Sequence, residues 1–237
     1  MAYFLALETS STLCSVALAD NHGILSLHTL YTPHSHDKML AVLVERMYTD
    51  AGIAMADISA VCVSAGPGSF SGLRIGGALA KGLCYANQPR LVAVPTLTAL
   101  AFHVVESAHL CSADTIIATQ ASHKDILYWQ EFSWGINTEG QKTVQPLSNV
   151  KQSTTDECVS ALRTLSRQSI LITGTASRWL LPSSFVGDTE FRVSSLHIVP
   201  TAEMIAHYGF TMIQREQFVQ AEDFVPQYGQ DFLPKPA

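Results

Sequence analysis

Charge is what this sequence has least of. Asp, Glu, Lys and Arg together make up 14% of 237 residues, against 47% hydrophobic residues. A surface that short of charge is either covered by a partner or belongs to a chain with a large apolar core, and the sequence leaves both open. Basic residues are scarcer than acidic ones, fourteen against twenty, for a formal net charge of −6. They are scattered, from Lys38 and Arg46 through Arg163, Arg167 and Arg178 to Lys235. Without a basic stripe the chain does not read as a nucleic-acid binder acting alone. Membership of an assembly whose other members hold RNA stays open.

Cysteine is also sparse in pattern. The five (Cys14, Cys62, Cys84, Cys111, Cys158) are odd in number and form no C-x-x-C pair. That argues against a disulfide scaffold and for a reducing compartment, with Cys14, Cys62 and Cys84 as small core hydrophobes. No apolar run approaches the roughly 18 residues of a membrane span. The opening Met-Ala-Tyr-Phe-Leu-Ala-Leu-Glu meets an acid at once and lacks a basic region, so it does not read as a signal peptide. The expected location is the cytoplasm.

Catalytic motifs are missing as well. There is no G-x-S-x-G nucleophile turn. Asp125 and Glu131 show no acid/base spacing, and His103 and His109 are joined by no carboxylate pattern. His34 and His36 form an H-x-H at a helix start, where packing or partner contact is a better reading than metal, since two helical ligands want i, i+4 spacing.

What is present is a glycine-rich turn, Ser64-Ala65-Gly66-Pro67-Gly68-Ser69-Phe70-Ser71-Gly72-Leu73-Arg74-Ile75-Gly76-Gly77, between an apolar run at 58–63 and a helical segment from Ala78 to about Ala86. Such turns often hold ligands. This one fails the Walker pattern, because Gly72 is followed by Leu73 and Arg74 rather than Lys and a hydroxyl. It fails G-x-G-x-x-G too, with Ser71 in the third glycine's place. A phosphate cradle from Gly68 and Ser69, with Glu8 and Thr9 of the first turn, is the minority reading. Gly72, Gly76, Ala80 and Cys84 recur every four residues and fall on one helical face, so a close-packing platform is the stronger one.

The rest of the chain reads as alternating elements. Strands at 3–7, 13–19 and 24–31 form a meander, with Asp20-Asn21-His22-Gly23 as a hairpin turn. Ser35 caps a helix whose Met39, Leu40, Leu43, Val44 and Met47 make a broad apolar stripe, ended by Gly52. A strand at 91–94 and a helix from Thr96 to about Ser107 complete a first unit. A second follows: strands at 114–119, 126–133 and 143–148, a helix at 154–166, a strand at 169–173, a turn and short helix ending before Pro182, and a helix at 201–208. A Pro/Gly-bearing tail from Asp223 reads as draped. The expected class is α/β, with two related mixed-sheet subdomains at 1–110 and 111–237. The plan resembles the duplicated actin-like, ribonuclease H-like architecture, in which nucleotide lies between the halves.

The motifs, in order, resemble the TsaB family, subunits of tRNA threonylcarbamoyladenosine (t6A) biosynthesis within the glycoprotease-like superfamily of TsaD. Residues 65–76 are close to the family's G-P-G-S-F-T-G-x-R-I-G. Leu5-Ala6-Leu7-Glu8-Thr9-Ser10 through Cys14-Ser15-Val16-Ala17-Leu18 resembles its I-D-T-S/A…C-S-V-A-L. Ser35-His36, Val94-Pro95-Thr96-Leu97 and Val199-Pro200-Thr201-Ala202 match later signatures. The second half departs: where the family has I-D-A-R stand Thr119-Gln120-Ala121-Ser122, and P-x-Y-L-R is Pro226-Gln227-Tyr228-Gly229-Gln230.

The resemblance implies a non-catalytic subunit without a cofactor of its own, ATP being used by the assembled complex. Its partners would be a TsaD-like catalytic paralogue and a TsaE-like ATPase, with a homodimer when alone and tRNA met only through the complex. The family's docking helices map here onto His36, Met39, Leu40, Leu43 and Met47 of one helix and Gly72, Arg74, Gly76, Ala80 and Leu83 of the other. The complex transfers threonylcarbamoyl to adenosine 37 of tRNAs reading ANN codons. The catalytic paralogue's H-x-x-x-H pair has no counterpart here. The alternatives are an actin-like nucleotide-binding enzyme, a kinase or peptidase-like hydrolase, and a diverged homologue with a new partner.

Overall fold

The computed structural model describes residues 3–33, 35–165, 169–180 and 192–228. His34, the helix end before Pro182 and the tail from 229 to 237 lie outside the described residues.

Two mixed sheets repeat one topology. The first has the order β3-β2-β1-β4-β5, from β1 (Tyr3–Glu8), β2 (Cys14–Asp20), β3 (Gly23–Leu30), β4 (Ile58–Ser64) and β5 (Arg90–Val94). β1 runs antiparallel to β2 and parallel to β4. The second has the order β11-β10-β6-β7-β8, from β6 (Thr115–Ala121), β7 (Ile126–Ile136), β8 (Lys142–Pro146), β10 (Ser169–Gly174) and β11 (Arg192–Leu196). There β6 runs antiparallel to β7 and parallel to β10. β9 (Lys151–Thr154) pairs with the start of β7, and β8 with its end.

Helices on both faces explain the apolar runs of the central strands. All seven residues of β2 are buried, because a strand covered on both sides has no wet face. Outside the first sheet, Leu40, Leu43, Val44 and Met47 of α1 (His36–Ala51), with Ala80 and Cys84 of α2 (Phe70–Asn87), pack on Leu5, Leu7, Val16, Val61 and Val63. Gly52 ends α1 in the left-handed conformation at φ 64°. Ser35 stands at the cap position, but its hydroxyl donates to the Thr32 carbonyl at 2.7 Å rather than accepting from the helix. Outside the second sheet, Cys158 and Leu162 of α5 (Thr155–Arg163) meet Ile117, Leu127, Trp129, Ile170 and Ile172. A capping box between Thr154 and Glu157 starts that helix.

Between the sheets the halves exchange helices. α3 (Thr96–His103) leaves the first sheet and packs on strands of the second. α6 (Ala202–Gln214) leaves the second and packs across all five strands of the first. The two helices also touch each other, with Phe102 and Tyr208 rings 5.4 Å apart. The segment from 111 onward is therefore not confined to the second sheet. After α6 the chain bridges to β5 at Leu91 and Val219, then runs over α2 as a strap, described as far as Tyr228. Phe224, 5% exposed, anchors it in the outer core of the first half, worth about 2 kcal/mol of burial.

The helix expected at 96–107 breaks at Val104 and resumes as α4 (Val105–Leu110). α2 starts at Phe70, inside the glycine motif, so Gly72, Gly76 and Gly77 are helical.

Candidate partner interface

The glycine turn is closed by the chain's own atoms. The Ser69 N–H donates to the Ser10 carbonyl at 2.7 Å, and the Gly72 N–H to Ser69 Oγ at 3.3 Å. Gly68 lies so near Ser10 that a Cβ there would collide with the Ser10 carbonyl oxygen, and one at Gly72 would collide with that of Thr9. On the other side Gln227 donates to the Ala65 carbonyl at 2.7 Å, and Thr96 to that of Gly66 at 2.9 Å. Of the amides expected to cradle a phosphate, that of Ser69 thus already donates to a carbonyl and that of Gly72 to a hydroxyl. Glu8 and Thr9 are wholly buried, and the sequence could not show that the cradle's contents are its own first turn.

The same device occurs in both halves. The Thr9 N–H donates to Ser64 Oγ at 3.3 Å, and the Ala121 N–H to Thr175 Oγ1 at 2.7 Å. Glu8 at the end of β1 and Gln120 at the end of β6 precede these donors. Glu8 accepts from the Ser10 N–H and leaves Oε2 without a partner among the described residues. Burial pushes its carboxyl from 4.5 up to about 7, against hydrogen bonds from Ser10 and Ser64 that lower it. Gln120 crosses between halves, its Nε2 donating to the Ser10 carbonyl at 3.1 Å. A carboxylate there could not donate, so the amide in place of the family's Asp makes a bond that an Asp cannot.

The small-residue stripe faces inward, which corrects the docking face expected of it. Gly76 abuts Thr9, where a Cβ would collide with Thr9 Oγ1, and Gly72, Ala80 and Cys84 are buried beneath α2. Leu40, Leu43 and Met47 are 1%, 3% and 0% exposed against their own sheet. His36 is buried as well, its Nε2 donating to the Leu13 carbonyl at 2.9 Å. Met39 and Leu83 are half-buried, and only Arg74 of the expected contacts is exposed. A helical wheel identifies a face but not its neighbour, and here the neighbour is the first turn.

The exposed side of α2 is a different row: Ser71, Arg74, Ala78, Gly82, Tyr85 and Ala86, flanked by half-buried Ile75 and Leu79. A Cβ at Gly82 would meet nothing within 4 Å. Arg74 is the one charged side chain of that exposed row. Its guanidinium lies 4.3 Å from the Phe70 ring centroid and 5.7 Å from that of Tyr228, and the two rings are 4.6 Å apart. Tyr228 is fixed from the second half, its carbonyl accepting from Tyr128 Oη at 3.3 Å. Sequence reasoning missed Phe70 and Tyr228, since nothing local links Arg74 to a ring on the distant strap. Among the described residues no three His, Cys, Asp or Glu side chains are placed to hold a metal ion, and no helix is long and apolar enough to cross a membrane.

Two like halves with exchanged helices and a closed cleft-side turn define a duplicated actin-like α/β protein. The architecture is that of YeaZ from Pseudomonas aeruginosa, with a TM-score of 0.75 at 24% identity over 96% of this chain and all of that one. A glucomannokinase from Arthrobacter sp. strain KM shares it more distantly, with a TM-score of 0.51 at 12% identity over 91% of this chain and all of the kinase. The family model for tRNA N6-adenosine threonylcarbamoyltransferase, TsaD, matches residues 31–174. The Escherichia coli tRNA threonylcarbamoyladenosine biosynthesis protein TsaB is 31% identical over 128 residues, 54% of each chain. The Bacillus subtilis protein of that name is 32% identical over 97 residues, 41% of this chain and 42% of the other. The chain spans about half the length of the curated relatives it matches. It belongs to the TsaB family, within the TsaD superfamily.

Proposed function

We propose that this chain is a non-catalytic docking subunit in t6A biosynthesis, cytoplasmic, without a cofactor of its own. Its partner would be a TsaD-like catalytic chain, assembled with a TsaE-like ATPase that uses ATP, and tRNA would be met only through the complex. The observation that carries this reading is the division of labour on α2. Its inner face is closed onto Thr9 and the first sheet, while its outer row is exposed and uncharged apart from Arg74. An exposed, charge-poor helix face is what a partner covers. The family membership supports the pathway, and the closed glycine turn supports a role without nucleotide chemistry in this chain.

Reconstitution of threonylcarbamoyl transfer to tRNA with and without this chain tests the role directly, and full activity in its absence would overturn it. Docking is tested at Gly82. Gly82→Glu leaves the fold intact, since the site is open, but places an unpaired carboxylate in the covered row. Partner affinity is expected to fall at least about a hundredfold, as burying an unpaired charge costs several kcal/mol. Unchanged binding would remove α2 from the interface.

The competing reading, an actin-like nucleotide-binding enzyme, predicts tight ATP–Mg²⁺ binding with turnover by the isolated chain. Calorimetry is expected to show neither, because the loop amides near Ser69 are already bonded.

A further inference from the structure

Arg74 is held in a way that its packing does not require. An exposed arginine ordinarily samples many rotamers, whereas this one is stacked on two rings, Phe70 of its own helix and Tyr228 of the strap. Stacking fixes the plane of the guanidinium and leaves its edge donors free to bind. None of the ion pairs among the described residues involves Arg74. Beside it lies an open groove of about 260 Å³ between α2 and the strap, floored by Gly77, Ala78, Phe224 and Pro226 and edged by Val225, which is 68% exposed. The groove's charged side chains are Arg74 and Lys81, both positive in a chain of net −6. Lys81 is steadied by the Glu222 carbonyl at 3.2 Å.

We infer that this groove is a docking subsite for a partner segment in which an Asp or Glu, placed beside an apolar residue, pairs with Arg74 while its neighbour fills the floor. The subsite rests on the docking reading: the segment belongs to the protein that covers α2. Charge complementarity selects an anion, and the apolar floor selects a protein side chain over a nucleic-acid backbone, which would call for a longer basic track. A guanidinium already immobilised by its rings loses less freedom on pairing than a mobile one, so the bond contributes more to affinity.

Titration calorimetry of the intact chain with its catalytic partner, at low and high salt, tests this. Arg74→Ala is expected to weaken binding roughly ten- to thirtyfold and to flatten its salt dependence. Arg74→Lys should recover only part of the loss, and Tyr228→Leu should lose part of it with the charge intact. Melting curves of the three variants should stay near wild type. If Gly82→Glu abolishes the complex while Arg74→Ala binds normally, docking stands and the subsite falls. If neither matters, docking itself falls. Two further outcomes overturn the subsite. Tighter partner binding by Asp231→Asn would make the chain's own end the occupant. Competition by a short RNA that Arg74→Ala abolishes would make it phosphate.

Discussion

Gly72→Ala is expected to lower the melting temperature by roughly 6–12 °C, the consequence of about 3 kcal/mol of lost stability in a chain of this size. A Cβ at Gly72 would collide with the Thr9 carbonyl oxygen. That oxygen belongs to backbone fixed on several sides: the Thr9 N–H is bonded to Ser64 Oγ, and the next carbonyl accepts from both Ser69 and Gln120. Relief therefore has to come from sliding α2 off the first sheet, which opens the core around Ala80 and Cys84. The control sits ten residues along the same helix. Gly82→Ala makes the identical chemical change where nothing lies within 4 Å, and should raise stability by about 0.5–1 kcal/mol through helix propensity alone. Opposite signs from the same substitution on one helix would establish which face is packed. Equal effects would mean that the turn of β1 and α2 are not in contact.

That contrast also marks what the sequence could and could not disclose. The central strands of the first half were legible because burial on both faces leaves them as short apolar runs, as at Cys14-Ser15-Val16-Ala17-Leu18. The four-residue spacing of Gly72, Gly76, Ala80 and Cys84 was legible as a close-approach face. Its direction was not, since periodicity carries no information about whether the neighbour is another chain or the turn at Thr9. Elements held by backbone pairing rather than side-chain burial escaped notice. β9 is Lys-Gln-Ser-Thr, with no apolar residue, and is placed by its ladder to β7. β11 is a half-exposed edge strand beside β10. α6 runs six residues past Tyr208 through Gly209, a weak helix former that the packing requires: a Cβ would come 2.6 Å from Cys62 Sγ. The strap's apolar anchor at Phe224 and the stacking of Tyr228 on Arg74 join residues too far apart in sequence for any local pattern to pair them.

Stability is expected to fall by about 3 kcal/mol between pH 4.5 and pH 7 through Glu8 alone. The sign is opposite to that of a salt-bridged carboxylate. Burial raises the Glu8 carboxyl in the folded chain from 4.5 to about 7, so over that window the folded state keeps a proton that the unfolded state has released. Stability then decreases as pH rises, and levels off once both states are ionised. Hydrogen bonds from Ser10 and Ser64 favour the charged form but are outweighed by desolvation. The neighbouring Cys14 thiol is itself pushed up to about 11, first by burial and then by Glu8, so it titrates outside the window. Glu8→Gln keeps the shape and removes the ionisation. Urea unfolding of both proteins from pH 4.5 to 8 should show a downward slope in wild type that the variant lacks, and parallel curves would assign the slope to other groups. The measurement bears on function as well. A first-strand carboxyl that faces bulk water, as an open nucleotide cleft requires, titrates near 4.5 and contributes no such slope. One sealed beneath Ser10 and the glycine turn does. The pH profile thus reports, without any ligand, whether the turn at Thr9 is closed in solution.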